Sequence, residues 1–348
     1  MVKTISRICL FLCLCLCLSL LSSITLSVTT FAEPLSTYHV ENMADFITND
    51  FEVLGKDSTG YVIVVPKSKK QNFKSLIPHS RLIENDINAY GYNNYDNVLQ
   101  RIKKVSQENP QIAELTQYGT SPQGKPAYVL TISNKLDTEK KPELIITGST
   151  HGNEGITTEA VLGLIDLLVA GYNNDTRLQR IVNFSKIHFV PVINVDGYVA
   201  GERYAEGRDP NREYPYPGLP NRKPVSCIRD IMAFFNTHKI AGVYDFHAYA
   251  SMTMFPWGYT TQLIPKKDYD EYMNIGSKMV SQNGFELGPI ATTIYVAKGG
   301  SVDYYYWKQH SISFVTEVSH NFKWTKSEVP QIVEEVREST WIFIESFL

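Results

Sequence analysis

The chain has 348 residues, with 33 Lys+Arg against 36 Asp+Glu, and it is 43% hydrophobic and 20% charged. That balance excludes a disordered chain, and a net charge of -3 offers no basic field for nucleic-acid phosphates. Four of the five cysteines (Cys9, Cys13, Cys15, Cys17) lie in the first seventeen residues.

Lys3 and Arg7 precede an apolar run from Ile8 to Leu21, no acid appears before Glu33, and Thr30-Phe31-Ala32 offers small residues for cleavage. This layout predicts a secretory signal over residues 1–32 and an exported protein, secreted or periplasmic. An uncleaved membrane anchor is the rival reading. Cleavage leaves 31 basic against 36 acidic residues and one cysteine, Cys227, so no internal disulfide can form. No stable membrane association is expected afterwards, and a monomer is the default.

Residues 33–89 read as a small α+β unit. Helices are predicted over 42–48 and 67–76, and strands over 51–54, 61–65 and 81–83, with a turn at Asp57-Ser58-Thr59-Gly60. The polar, glycine-bearing stretch around 88–94 suits a linker.

From Tyr95 onward strands and helices alternate. The apolar pattern predicts strands over 128–132, 143–147, 187–193, 242–246 and 312–316, and helices over 97–107, 157–170, 227–237, 268–283 and 328–347. Thr325 and Glu328 form a possible capping box for the last helix. Continuous apolar strands between helices predict an α/β fold whose sheet is covered on both faces.

Chemistry-bearing residues collect where these strands end. His151 and Glu154 follow strand 143–147, His247 follows 242–246, and Glu317 follows 312–316. Ligands bind at strand carboxyl ends in such sheets. The histidine and carboxylate of one turn, with His247 from a second element, can hold a zinc ion and leave a fourth position for water.

The segments around these residues appear in a telling order. Tyr118-Gly119-Thr120-Ser121-Pro122-Gln123-Gly124-Lys125-Pro126 comes first, then His151-Gly152-Asn153-Glu154, then Asp209-Pro210-Asn211-Arg212-Glu213. Phe246-His247-Ala248-Tyr249 follows, then Ile294-Tyr295-Val296-Ala297-Lys298-Gly299-Gly300-Ser301-Val302-Asp303 and Thr316-Glu317. Together they resemble the M14 zinc metallocarboxypeptidases of the carboxypeptidase A/B type, over residues 90–348.

The resemblance implies a mixed, mostly parallel central sheet with helices on both faces, and one Zn2+ per chain, held by His151, Glu154 and His247, with Asp209 supporting His151. It implies that Asn211 and Arg212 grip the terminal carboxylate of a peptide or protein, and that Tyr295 closes over it. Glu317 matches the general base and Arg203 the oxyanion-stabilising arginine, with Arg208 as a rival for that role. Val302 falls at the base of the side-chain pocket, and an apolar residue there favours aromatic or aliphatic ends.

Several positions depart from the family pattern. Glu213 puts a negative charge beside a carboxylate-binding pair; either it points away or it favours a substrate carrying an amine. Pro210, Ala248, Thr316 and Val318 also differ, without removing a catalytic group. The unit 33–89 occupies the place of the family's activation segment and reads as an inhibitory propeptide or a retained accessory domain. The expected function is release of C-terminal residues; the alternative is a muropeptide peptidase of the same fold, although no wall-binding repeat is visible. A non-enzymatic binder of peptide C-termini fits poorly with the intact set of donors and Glu317.

Overall fold

A computed structural model describes residues 35–40, 52–57, 60–66, 71, 73, 81–83, 94–136, 140–319 and 326–348. The signal over 1–32, the helix over 42–48 and Thr325 of the capping box lie outside the described residues. Of the helix over 67–76, residues 71 and 73 are described, and both are helical.

Four strands form a small antiparallel sheet: β1 (Leu35–Val40), β2 (Glu52–Asp57), β3 (Gly60–Pro66) and β4 (Arg81–Ile83), in the order β2-β3-β1-β4. Period-two alternation puts Tyr38, Val40, Ile63 and Val65 on one face, where they bury against Phe73. The sequence reading missed β1.

The larger sheet has eight strands. Its elements in chain order are α1 (Tyr95–Glu108), β5 (Ala113–Thr120), β6 (Pro126–Ile132), β7 (Glu143–Thr147), α2 (Gly155–Gly171), α3 (Thr176–Phe184) and β8 (Lys186–Val190). Then come α4 (Val195–Ala200), α5 (Ser226–Asn236), β9 (Ile240–His247), β10 (Met252–Phe255), α6 (Lys266–Met279), β11 (Glu286–Pro289), α7 (Ile290–Thr293), α8 (Ser301–Gln309), β12 (Ile312–Glu317) and α9 (Val329–Glu345). The strand order is β11-β10-β12-β9-β7-β8-β6-β5. β12, β9, β7 and β8 run parallel at the centre; β6 and β5 extend the sheet antiparallel on one side, and on the other β10 pairs antiparallel with β12 and parallel with β11. The predicted α/β class and the mixed sheet hold.

Alternation along β7 explains the two covered faces. Leu144 and Ile146 join one apolar cluster with Ala160, Leu164 and Leu168 of α2 and Val336 and Phe343 of α9. Ile145 points the other way, into a cluster with Ile228, Ile231 and Phe235 of α5 and Tyr304 and Tyr305 of α8. Strand 187–193 is shorter than predicted and ends at Val190, because Pro191 cannot donate to a ladder. Among the described residues no single helix is long and apolar enough to cross a membrane.

Candidate active site

Register brings the chemistry together. β12 lies parallel to β9 with Glu317 opposite His247, and β9 lies parallel to β7 with Asp245 opposite Thr147. The turn after β7 carries His151 and then Glu154, which immediately precedes α2. This turn packs tightly on α4: a Cβ at Gly152 would stand 2.1 Å from the carbonyl carbon of Gly197. Only glycine allows that approach, so His151 is seated by its neighbour's missing side chain.

One donor atom from each of His151, Glu154 and His247 lies within 4.8 Å of the other two, and all three residues are buried. His151 Nδ1 is 2.7 Å from Glu154 Oε1 and 3.1 Å from His247 Nδ1. His247 Nδ1 is 3.2 Å from Glu154 Oε2. Two imidazole lone pairs and a carboxylate converging at these distances repel one another unless a proton or a cation joins them.

The electrostatics favour positive charge at this point. Burial opposes the charged form of His247, but Asp245 and Glu154 outweigh it and raise the imidazole well above its ordinary value. Burial likewise opposes charge on Glu154, yet the two histidines hold its carboxyl far below the usual range. A cage that draws a proton this strongly also suits a divalent cation.

Supporting groups fix both rings from behind. His151 Nε2 is 3.0 Å from Asp209 Oδ1, which also accepts from Asn211 N at 2.8 Å. Arg203 donates to Glu154 Oε1 at 3.1 Å and to Asp209 Oδ2 at 3.0 Å. Arg208, its rival, instead pairs with Glu213 away from this cluster.

The sequence reading missed Asp245. Its Oδ2 sits 3.2 Å from His247 Nε2, while Thr147 and Ser301 hydroxyls donate to its two oxygens at 2.6 Å. An aspartate two residues before His247, inside an apolar strand, shares its face and was the available signal. Asp245→Asn keeps the shape but removes the charge behind the ring. It is expected to weaken zinc binding about 10–100-fold, as measured by equilibrium dialysis. An unchanged dissociation constant would show that Asp245 serves the sheet rather than His247.

Asn211 and Arg212 lie in a short 3-10 turn over Pro210–Arg212. Asn211 Nδ2 is 3.3 Å from His247 Nε2, and Asn211 Oδ1 accepts from Ser301 N at 3.0 Å. Arg212 Nη1 donates to Asn211 O at 2.9 Å, and Nη2 donates to the Tyr295 hydroxyl at 3.0 Å. Gly299, at φ +80°, lets this loop close in, since a Cβ there would meet Arg212 O at 2.5 Å. Glu213 is fully buried and takes both Arg208 and Arg222, so its charge is neutralised within the protein. Of the two readings left open for Glu213, the two arginine partners favour the first, a carboxylate turned away from substrate.

Val302 is buried with Met252, Met254, Ile290 and Val315, and Ile294 and Ala297 pack against them. Glu317 completes the set. Its Oε2 is buried with no hydrogen-bond partner among the described residues. Burial pushes its carboxyl up to about 7, with Glu154 adding to the rise and His247 opposing it.

A family model described as zinc carboxypeptidase, Peptidase_M14, matches residues 98–339. The chain belongs to the M14 zinc carboxypeptidase family. It is a metallocarboxypeptidase, a hydrolase of peptide bonds. Among curated relatives, carboxypeptidase A2 of Mus musculus is 23% identical over 300 residues, covering 76% of this chain and 71% of its own. The solved structure of thrombin activatable fibrinolysis inhibitor aligns at TM-score 0.72 and 17% identity, over 90% of this chain and 98% of its own. Carboxypeptidase A from Helicoverpa armigera aligns at TM-score 0.73 and 18% identity, over 91% and 98%. These structures share the fold of this metallocarboxypeptidase. A metal cofactor goes with the family, and the facing imidazoles and carboxylate at His151, Glu154 and His247 fit one.

Proposed function

We propose that this metallocarboxypeptidase is exported, removes the C-terminal residue of peptides and proteins, and uses Glu317 as its general base. The observation that carries the reading is the buried, unpartnered Glu317 Oε2, beside a triple donor cluster whose His247 meets Asn211, the neighbour of the Arg212–Tyr295 pair. One zinc ion, held by His151, Glu154 and His247, is part of the proposal. The chemistry such an ion supplies when bound is polarisation of a carbonyl and acidification of a water toward neutral pH.

The chain's own residues do the rest. Glu317 takes a proton from the attacking water and returns it to the leaving amine nitrogen. Arg203, fixed between Glu154 and Asp209, keeps positive charge beside the place where the carbonyl oxygen gains negative charge. Arg212, Asn211 and Tyr295 hold the substrate's terminal carboxylate, so only the last peptide bond reaches the donors. The apolar surroundings of Val302 favour an aliphatic or aromatic terminal side chain.

Export rests on the signal layout of residues 1–32. The unit over 33–89 precedes the catalytic domain over 90–348 as a propeptide or accessory domain. The fold likeness to thrombin activatable fibrinolysis inhibitor extends over 90% of the chain, more than residues 90–348 alone supply, which supports that arrangement.

A peptide library with varied C-termini, digested and read by mass spectrometry, tests the reading directly. Single-residue loss from apolar ends is expected; internal cleavage would overturn it. Arg212→Ala is expected to lower kcat/KM about 10²–10³-fold for free C-termini, the cost of removing a charge partner of about 3–4 kcal/mol. C-terminally amidated peptides should be slow with both proteins. An equal loss on acid and amide would remove Arg212 from carboxylate recognition.

A further inference from the structure

A second group of metal-capable side chains lies at the far end of the same strands. One donor atom from each of Glu143, His188 and His238 falls within 4.8 Å of the other two. Glu143 opens β7, whereas His151 follows its other end, about 13 Å away along the strand at 3.3 Å per residue. His188 sits within β8 and His238 between α5 and β9. None of the three takes part in the site above.

The local hydrogen bonds prepare the rings. His238 Nδ1 lies 2.8 Å from Phe234 O, a carbonyl that can only accept, so its hydrogen sits on Nδ1 and the lone pair on Nε2. His188 Nε2 is 3.1 Å from Glu143 Oε2, and its Nδ1 is 2.9 Å from the Thr131 hydroxyl. Both imidazoles pack on the Phe234 ring, with centroids 5.2 and 4.3 Å away. A cavity of about 460 Å³, lined by Thr131, His188, His238, Glu114 and Lys186, opens beside the rings.

We propose that Glu143, His188 and His238 form a second, non-catalytic site for a divalent transition ion of the zinc class. Two imidazoles and one carboxylate suit such an ion, whereas Mg2+ and Ca2+ prefer all-oxygen shells. When His188 Nε2 takes the ion, its proton moves to Nδ1 and the Thr131 hydroxyl turns from donor to acceptor, so no proton is lost. Glu143 binds through Oε2 and keeps Lys186 near Oε1, now 3.4 Å away. The cavity admits water as a fourth ligand. The ion would tie β7, β8 and the α5–β9 junction together.

The test is zinc stoichiometry on the purified full chain, stripped and reloaded with Zn2+ alone. Two equivalents are expected for the wild type and one each for His238→Ala, Glu143→Gln and His151→Ala. His238→Ala should keep its peptidase activity, which separates this site from the catalytic reading; His151→Ala should lose it. If His238→Ala fails to fold, Glu143→Gln carries the same comparison. One equivalent in the wild type, or two retained in both His238→Ala and Glu143→Gln, would overturn the proposal. So would equal filling of the site by Mg2+.

Discussion

Replacing Glu317 by Gln is expected to lower kcat by about 10²–10⁴-fold, the usual contribution of a positioned acid–base group. KM and bound zinc should stay nearly unchanged, because Gln keeps the volume and loses only the basicity. Glu317 faces His247 across the β12–β9 pair and presents a buried oxygen with no partner among the described residues. Burial raises its carboxyl to about 7, so it holds a proton far more readily than an exposed glutamate. A base must be ionised, so wild-type kcat/KM should fall as pH drops through this group's pKa. A bound divalent ion favours the ionised carboxylate and draws the limb below 7. The limb should disappear in the Gln variant. Stability supplies a second readout. The folded pKa lies above the unfolded one, so stability from this group is present below about 4.5 and is lost as pH rises through about 7. Metal-free Glu317→Gln should therefore melt no lower than wild type at pH 8. A variant keeping more than about a tenth of kcat, outside the range for general-base loss, would move the base elsewhere.

The site was legible wherever chemistry followed an apolar strand. His151, Glu154, His247 and Glu317 stand out because each interrupts or ends a run whose neighbours are buried. Arg212 and Tyr295 are 83 residues apart yet share a hydrogen bond, and only the family pattern joined them in sequence. The internal partners of Glu213 were not legible. Arg222 lies nine residues on, and no helical or strand period links the two. Glu143, His188 and His238 carry no motif at all, since three separate elements converge through sheet register. Strands β10 and β11 were missed for a simpler reason. Each has four residues, too few for periodicity to show.

Stripping the catalytic ion with a chelator is expected to abolish peptidase activity, and zinc should restore it. The melting temperature should fall as well. At free metal about 1,000-fold above the dissociation constant, linkage contributes about 4 kcal/mol. For a domain of this size that is about 8–16 °C, at 2–4 °C per kcal/mol. The donor geometry sets the pH dependence. Without an ion, His151 Nδ1 and His247 Nδ1 face each other at 3.1 Å with Glu154 alongside. Asp245 and Glu154 raise His247 well above its ordinary value, so a proton competes with the ion for that imidazole. Acid therefore favours the proton, and the zinc dissociation constant should be larger at pH 6 than at pH 8. Because the second cluster carries no catalytic group, zinc that returns there first should restore stability before activity. Full activity after exhaustive chelation, with no metal left on the chain, would separate hydrolysis from the His151–Glu154–His247 cluster altogether.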